Sequence, residues 1–165
     1  MGFQSVDELE HFSFRDCQIN TFRVTEEGLF LEVEALIVKA NNSQNTNYTD
    51  SYAGTTQIRL LGGELLSGFQ EGYKYYDAND VLVNEVPDKP LPEAKLKGLP
   101  KKCAGAYLFA MEKREPVNGK QHYAIGIEFA EDSDYGSNLS ETYQLEISFQ
   151  KAVVNWEQYM NRVHD

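Results

Sequence analysis

Apolar side chains recur at every second position through long parts of this chain, and that period reads as sheet. Tyr123, Ile125, Ile127 and Phe129 alternate with His122, Ala124, Gly126 and Glu128. Tyr143, Leu145, Ile147 and Phe149 alternate with Gln144, Glu146, Ser148 and Gln150. Leu29, Leu31, Val33, Ala35 and Ile37 share one parity, against Phe30, Glu32, Glu34, Leu36 and Val38. A period of two puts each set on its own face of a strand. The Leu29 run begins one-sided and ends apolar on both parities, so its end is expected to be buried on both faces.

Turn chemistry divides these runs. Val117-Asn-Gly-Lys120 is the strongest hairpin signal, because Asn-Gly suits positive φ at both central positions. A strand over Ala106 to Glu112 precedes it. Glu26-Glu27-Gly28 supplies a turn before Leu29. Phe12 to Val24 reads as one extended strand whose apolar parity switches at Cys17 and Ile19 and returns at Phe22. Thr55 to Leu61 is a strand, and Gly62-Gly63 breaks it. Leu65 to Tyr76 fits helix or strand, and Tyr73, Tyr75 and Tyr76 favour strand. Asp77-Ala-Asn-Asp80 is a turn, with Val81 to Val86 the returning strand of a hairpin.

Helix signals are confined to three places. Ser5 with Glu8 forms a capping-box pattern that predicts a short helix through His11. Pro92 to Gly98 holds one or two helical turns, with Pro early and Gly at the end. Asn155 with Gln158, the staple pair Val154 and Tyr159, and the stripe Trp156, Tyr159, Met160 and Val163 predict a final helix. The expected fold is mainly β. It is an antiparallel β-sandwich or strongly curved sheet of seven to eight strands, with short N- and C-terminal helices. No repeat of fixed period divides the chain, so residues 1–165 are read as a single β-rich domain.

Charge narrows the partners. The net charge is -11, from 15 basic and 26 acidic residues. Nucleic-acid affinity comes mainly from Lys and Arg at phosphates, so no nucleic-acid partner is expected. Anionic membrane surfaces are disfavoured for the same reason. A basic protein partner is favoured. One segment opposes the rest in sign: Lys89, Lys95, Lys97, Lys101 and Lys102 gather among Pro87, Pro90, Pro92 and Pro100. This 89–102 basic connector is a candidate surface for homo-oligomers. No run of about 18 apolar residues and no leader-like N-terminus is seen, so a cytoplasmic protein is expected. Cys17 and Cys103 are then reduced thiols, and the sequons at Asn41, Asn47 and Asn138 carry no glycan.

Catalytic constellations are not legible. His11, His122 and His164 stand apart in sequence, and His122 shares the polar parity of its strand with Glu128. Cys17 sits beside Asp16, which disfavours a thiolate; Cys103 follows Lys101-Lys102, a better setting. No nucleophile elbow and no phosphate loop appears. Asp77-Ala-Asn79-Asp-Val81 opens like a calcium loop but has Val at position five and Leu82 in place of the Gly at position six. The acidic loop Glu131 to Asn138 is a generic solvated turn. No cofactor and no metal site is assigned.

A polar run, Asn41 to Gly54, separates two strands and is longer than the usual connection of about 4–6 residues. Asn and Tyr in such a loop match the composition of binding loops. Asn45, Asn47, Tyr48 and Tyr52 are therefore expected contact residues, with Tyr73 and Tyr75 near the next turn. Phe14-Arg-Asp-Cys-Gln-Ile19, followed by Leu29-Phe-Leu-Glu-Val33, resembles the opening of small bacterial β-rich domains of the immunity-protein type. Those open with Phe-His-Asp, and Arg15 stands here in place of the His. The resemblance implies a non-catalytic, partner-binding protein. The expected function is a non-enzymatic protein-binding module, immunity-type or accessory, acting through an acidic face and Asn/Tyr-rich loops. The alternatives are a β-barrel-like carrier with a pocket lined by Phe and Tyr, and a hydrolase that works through carboxylates.

Overall fold

The structure is a computed structural model that describes residues 2–129 and 141–162, the side chains through 160. The expected loop at 131–138 and the last stripe residue, Val163, lie outside the described residues, as does His164. In chain order the strands are β1 (Phe3–Val6), β2 (Phe12–Ser13), β3 (Gln18–Thr25), β4 (Gly28–Glu34), β5 (Ile37–Val38), β6 (Ser51–Ala53), β7 (Thr56–Leu61) and β8 (Glu64–Gln70). They continue as β9 (Tyr73–Tyr76), β10 (Leu82–Val86), β11 (Lys89–Pro90), β12 (Tyr107–Val117), β13 (Lys120–Phe129), β14 (Glu141–Phe149), β15 (Lys151–Trp156) and β16 (Tyr159–Arg162). One α-helix, α1 (Glu93–Gly98), fills the predicted Pro92 to Gly98 window.

Ten strands form an antiparallel sheet in the order β1-β15-β7-β4-β3-β12-β13-β14-β8-β11. A smaller sheet runs β16-β6-β5-β2, and among the described residues β9 pairs only with β10. The frame of the large sheet is a long double ribbon. β7 passes into β8 at Gly62-Gly63, and β14 into β15 at Gln150. Pairing continues across both bends, from Thr56 opposite Trp156 to Gln70 opposite Tyr143. The bend needs glycine. Gly62 has φ 67, and a Cβ on Gly63 would lie 2.7 Å from the Leu60 carbonyl oxygen. β3 and β12 close the other side through a narrow seam, where Leu108 N–H donates to the Cys17 carbonyl at 2.9 Å and Ile19 N–H to the Ala106 carbonyl at 2.7 Å. Both halves share one core that includes Ile19, Leu31, Ile58, Leu108, Ile125, Ile147, Phe149 and Trp156, all buried. Each such side chain contributes about 1.5–3 kcal/mol.

The mainly antiparallel β class agrees with the sequence reading. Several finer expectations are corrected. There are sixteen described strands, not seven or eight. Two predicted runs are cut: Phe12 to Val24 turns at Phe14–Cys17, where Cys17 N–H donates to the Phe14 carbonyl at 3.2 Å. The Leu29 run breaks at Ala35, whose φ is 59, and its buried end joins the smaller sheet as β5. The parity switches across the Phe14–Cys17 turn, and its return at Phe22 has a direct cause: a register shift between Ile19 and Thr21 lets Ile19 and Phe22 both face inward. The Asn118-Gly119 hairpin forms as read, with φ of 52 and 75.

The terminal helices are also corrected. At the N-terminus only a 3-10 turn, Leu9–His11, is present, and Ser5 lies in β1. Ser5 still meets Glu8, donating its Oγ to Oε1 at 2.9 Å, but across a turn. At the C-terminus, Trp156 is strand, paired with Phe3 on one side and Thr56 on the other. A cap contributes about 0.5–2 kcal/mol. Two complete ladders, together with burial of Ala152, Val153, Val154 and Trp156, outweigh it.

Candidate functional site

A projecting arm made by β9 and β10 gathers Tyr73, Tyr75, Tyr76, Val81, Leu82 and Val83, all exposed. Every residue from Tyr73 to Glu85 is exposed, with Tyr76 at 56% and Val83 at 61%. Its tip is built by Asp77. The Asp77 carboxylate accepts the N–H groups of Asn79 at 2.8 Å and Val81 at 3.0 Å, and Asp80 takes φ 60. Cross-strand register places Tyr73, Tyr75, Asn84 and Val86 on one face, with the rings of Tyr73 and Tyr75 4.9 Å apart. The other face carries Tyr76, Leu82 and the pair Lys74 to Glu85, 3.8 Å apart. The base is tight. Gly72 N–H donates to Asp88 Oδ1 at 2.6 Å, and β11 then binds the edge of β8. Residues 71–88 hold five acidic side chains and one basic, so the arm carries -4. A lone two-stranded ribbon is marginal in water and shows unpaired backbone edges.

Within the Asn41 to Gly54 loop, Asn45, Asn47 and Tyr52 make hydrogen bonds inside the protein. Asn45 faces inward: its Nδ2 donates to the carbonyls of Val38 at 3.0 Å, Lys39 at 3.1 Å and Thr49 at 2.9 Å, and its Oδ1 accepts Asn47 N–H at 2.8 Å. Asn47 Nδ2 donates to Ser51 Oγ at 3.2 Å. Tyr52 donates its hydroxyl to Asp16 at 2.7 Å. Tyr48 alone points fully outward, 94% exposed with φ 61. Glu8 fastens the loop to the N-terminal turn, accepting Ser43 N–H at 3.0 Å and the Ser43 hydroxyl. Burial opposes the Glu8 charge, but hydrogen bonds from Ser43, Ser5 and His11 prevail and lower it to about 2. The loop's last residues form β6 in the smaller sheet, while the arm follows β8 of the large one, so the two sets of nominated residues stand on different sheets.

Two further clusters were not legible in sequence. On the outer face of β12 to β14, His122 Nε2 lies 3.1 Å from Glu146 Oε2, and Arg114 Nη1 lies 3.2 Å from Glu112. Glu112, Arg114 and Glu146 line a groove of about 460 Å³ with Phe69 and Glu71. On the outer face of β3, β4 and β7, register aligns Arg23, Phe30 and Arg59 in one cross-strand row. Arg23 stacks 4.6 Å from the Phe30 ring centre, and the row lines a groove of about 530 Å³. Arg59 Nε is buried without a hydrogen-bond partner. Only the order of strands across the sheet brings these groups together.

Both thiols are packing groups. Cys17 and Cys103 are buried and unbonded to each other. Burial pushes the Cys17 thiol well up, and Cys103, which donates to the Leu99 carbonyl at 3.3 Å, to about 12. The lysines beside Cys103 therefore do not make it a thiolate. No cluster of three or more His, Cys, Asp or Glu suited to a metal ion is found among the described residues. No helix of the described residues is long and apolar enough to cross a membrane. No family model, curated protein or solved structure matches the chain.

Proposed function

We propose that this chain is a non-enzymatic protein-binding module, accessory or immunity-type, that engages a basic partner through its projecting arm. The arm carries the reading: exposed Tyr76, Leu82 and Val83 on an acidic ribbon with free backbone edges. Tyr joins apolar contact area to a hydrogen-bonding tip, which suits interfaces, and the charge of -4 selects a basic surface. A partner can extend the ribbon by strand addition. The resemblance of Phe14 to Ile19 to immunity-type openings agrees with such a role. Two unbonded buried thiols support a reducing, cytoplasmic setting.

The carboxylate hydrolase has Glu112 and Glu146 in one groove in its favour, but Arg114 and His122 already occupy those carboxylates. The carrier reading is weighed down by Trp156, Phe149, Ile125 and Leu108, which fill the middle of the sheet. The test uses the immobilised full chain and a variant with Tyr73→Ser, Tyr76→Ser and Val83→Ser on a body of unchanged melting temperature. The expected result is a stoichiometric basic partner, held by the wild type, released as salt rises and lost in the variant. Equal retention by both chains, or no partner at all, overturns the proposal. Sedimentation of the chain alone reads out a second copy, seated through the 89–102 segment, as the competing occupant.

A further inference from the structure

We propose that the outer face of β3, β4 and β7 holds a binding subsite for an oxyanion, a carboxylate or a phosphate, seated between Arg23 and Arg59. This goes beyond the binding role of the arm and does not depend on it. Arg23 and Arg59 flank Phe30 on neighbouring strands, so their Cα atoms stand about 10 Å apart and both long side chains reach the same groove. Phe30 lies under the Arg23 guanidinium at 4.6 Å, which holds that side chain in place before any ligand arrives.

The charge pattern singles this pair out. Arg15 meets Asp16 at 3.3 Å and Arg114 meets Glu112 at 3.2 Å. Among the described residues neither Arg23 nor Arg59 forms an ion pair with any carboxylate. The nearest acid on the adjacent row, Glu32, takes Gln57 Nε2 at 3.3 Å instead. Glu26 and Glu27 line the same groove, and among the described residues neither forms an ion pair with Arg23 or Arg59. Arg59 Nε is a buried donor with nothing to donate to. Such a donor is costly unless an acceptor completes it, and a guanidinium fork matches the two oxygens of a carboxylate or phosphate. The net charge of the whole protein does not forbid this, since charges beyond about 8 Å are largely screened at physiological ionic strength.

The experiment follows the Nε–H resonances of Arg15, Arg23, Arg59 and Arg114 in the ¹⁵N-labelled full chain. Sodium acetate and inorganic phosphate are titrated separately at constant ionic strength. Saturable shifts at Arg23 and Arg59, with Arg15 and Arg114 still, are expected. The probe that saturates at lower concentration identifies the chemical source. No shift, or an unsaturating drift shared by all four, overturns the proposal. Arg59→Gln is expected to weaken binding about tenfold or more. Arg59→Lys keeps the charge but loses the fork and is expected to weaken it similarly. Should Arg59→Gln fail to fold, Arg23→Gln, at an exposed side chain, gives the same reading. Unchanged affinity in a folded variant overturns the proposal.

Discussion

Gly72 lies so close to Val86 that a Cβ added to it would sit 1.9 Å from the Val86 carbonyl oxygen. This contact, with the Gly72 to Asp88 hydrogen bond, sets the arm at its root. Gly72→Ala is expected to displace the arm and leave the body intact. Amide exchange should speed up across Tyr73–Val86 while the exchange of β13 and β14 stays unchanged. Loss of protection in the body as well would show that the arm is part of the core's cooperative unit.

Glu8 ties the stability of the smaller sheet to pH. Its carboxyl is lowered from 4.5 to about 2, so its stabilising charge is present in full above 4.5. The contribution is lost as pH falls from 4.5 toward 2, because protons then bind the unfolded chain before the folded one. Glu8→Gln is expected to cost about 1–2 kcal/mol at neutral pH, given its partial exposure. It should also flatten the acid limb of the unfolding midpoint plotted against pH. An identical pH slope in wild type and variant would contradict this.

Asn45 and Tyr48 should separate cleanly by stability. Asn45→Ala strands three backbone carbonyls and the Asn47 N–H and is expected to cost about 2 kcal/mol in urea unfolding. Tyr48→Ser, at a side chain that is 94% exposed, is expected to stay within about 0.5 kcal/mol. Comparable losses at both positions would mean that the loop is held differently.

The two thiols should be silent in the native protein. Cys17 and Cys103 are both buried, and desolvation holds each in the neutral form. A disulfide exchange reagent at neutral pH is expected to modify neither within the time in which it modifies both in guanidinium. Fast native labelling of Cys103 would revive a role for Lys101 and Lys102.

Much of the architecture was readable where a local signal and the tertiary context agree. Tyr123 to Phe129 alternates because one parity faces the core, and Asn118-Gly119 turns because its φ values demand it. The three-residue spacing from Ile19 to Phe22 reflects a register shift that the reading of one extended strand passed over. Reading failed where neighbours outside the window decide. Asn155 carries a cap signal, yet Trp156 finds partners in Phe3 and Thr56, far away in sequence. Asn45 looked like a contact residue because composition does not say which way a polar side chain points. The Arg23, Phe30 and Arg59 row, and the His122 to Glu146 pair, exist only once strand order is known.

The double ribbon also orders the events of folding. β7 and β8 have no frame to complete until β14 and β15 have been synthesised, since Thr56 faces Trp156 and Leu61 faces Lys151. Closing so large a loop of chain must precede any gain from the pairing. Until then the edge of β7 opposite β4 stays open. This protein is therefore expected to fold slowly for its size. Its period of greatest risk for aggregation falls after the arm has emerged and before β14 and β15 arrive to seal the sheet.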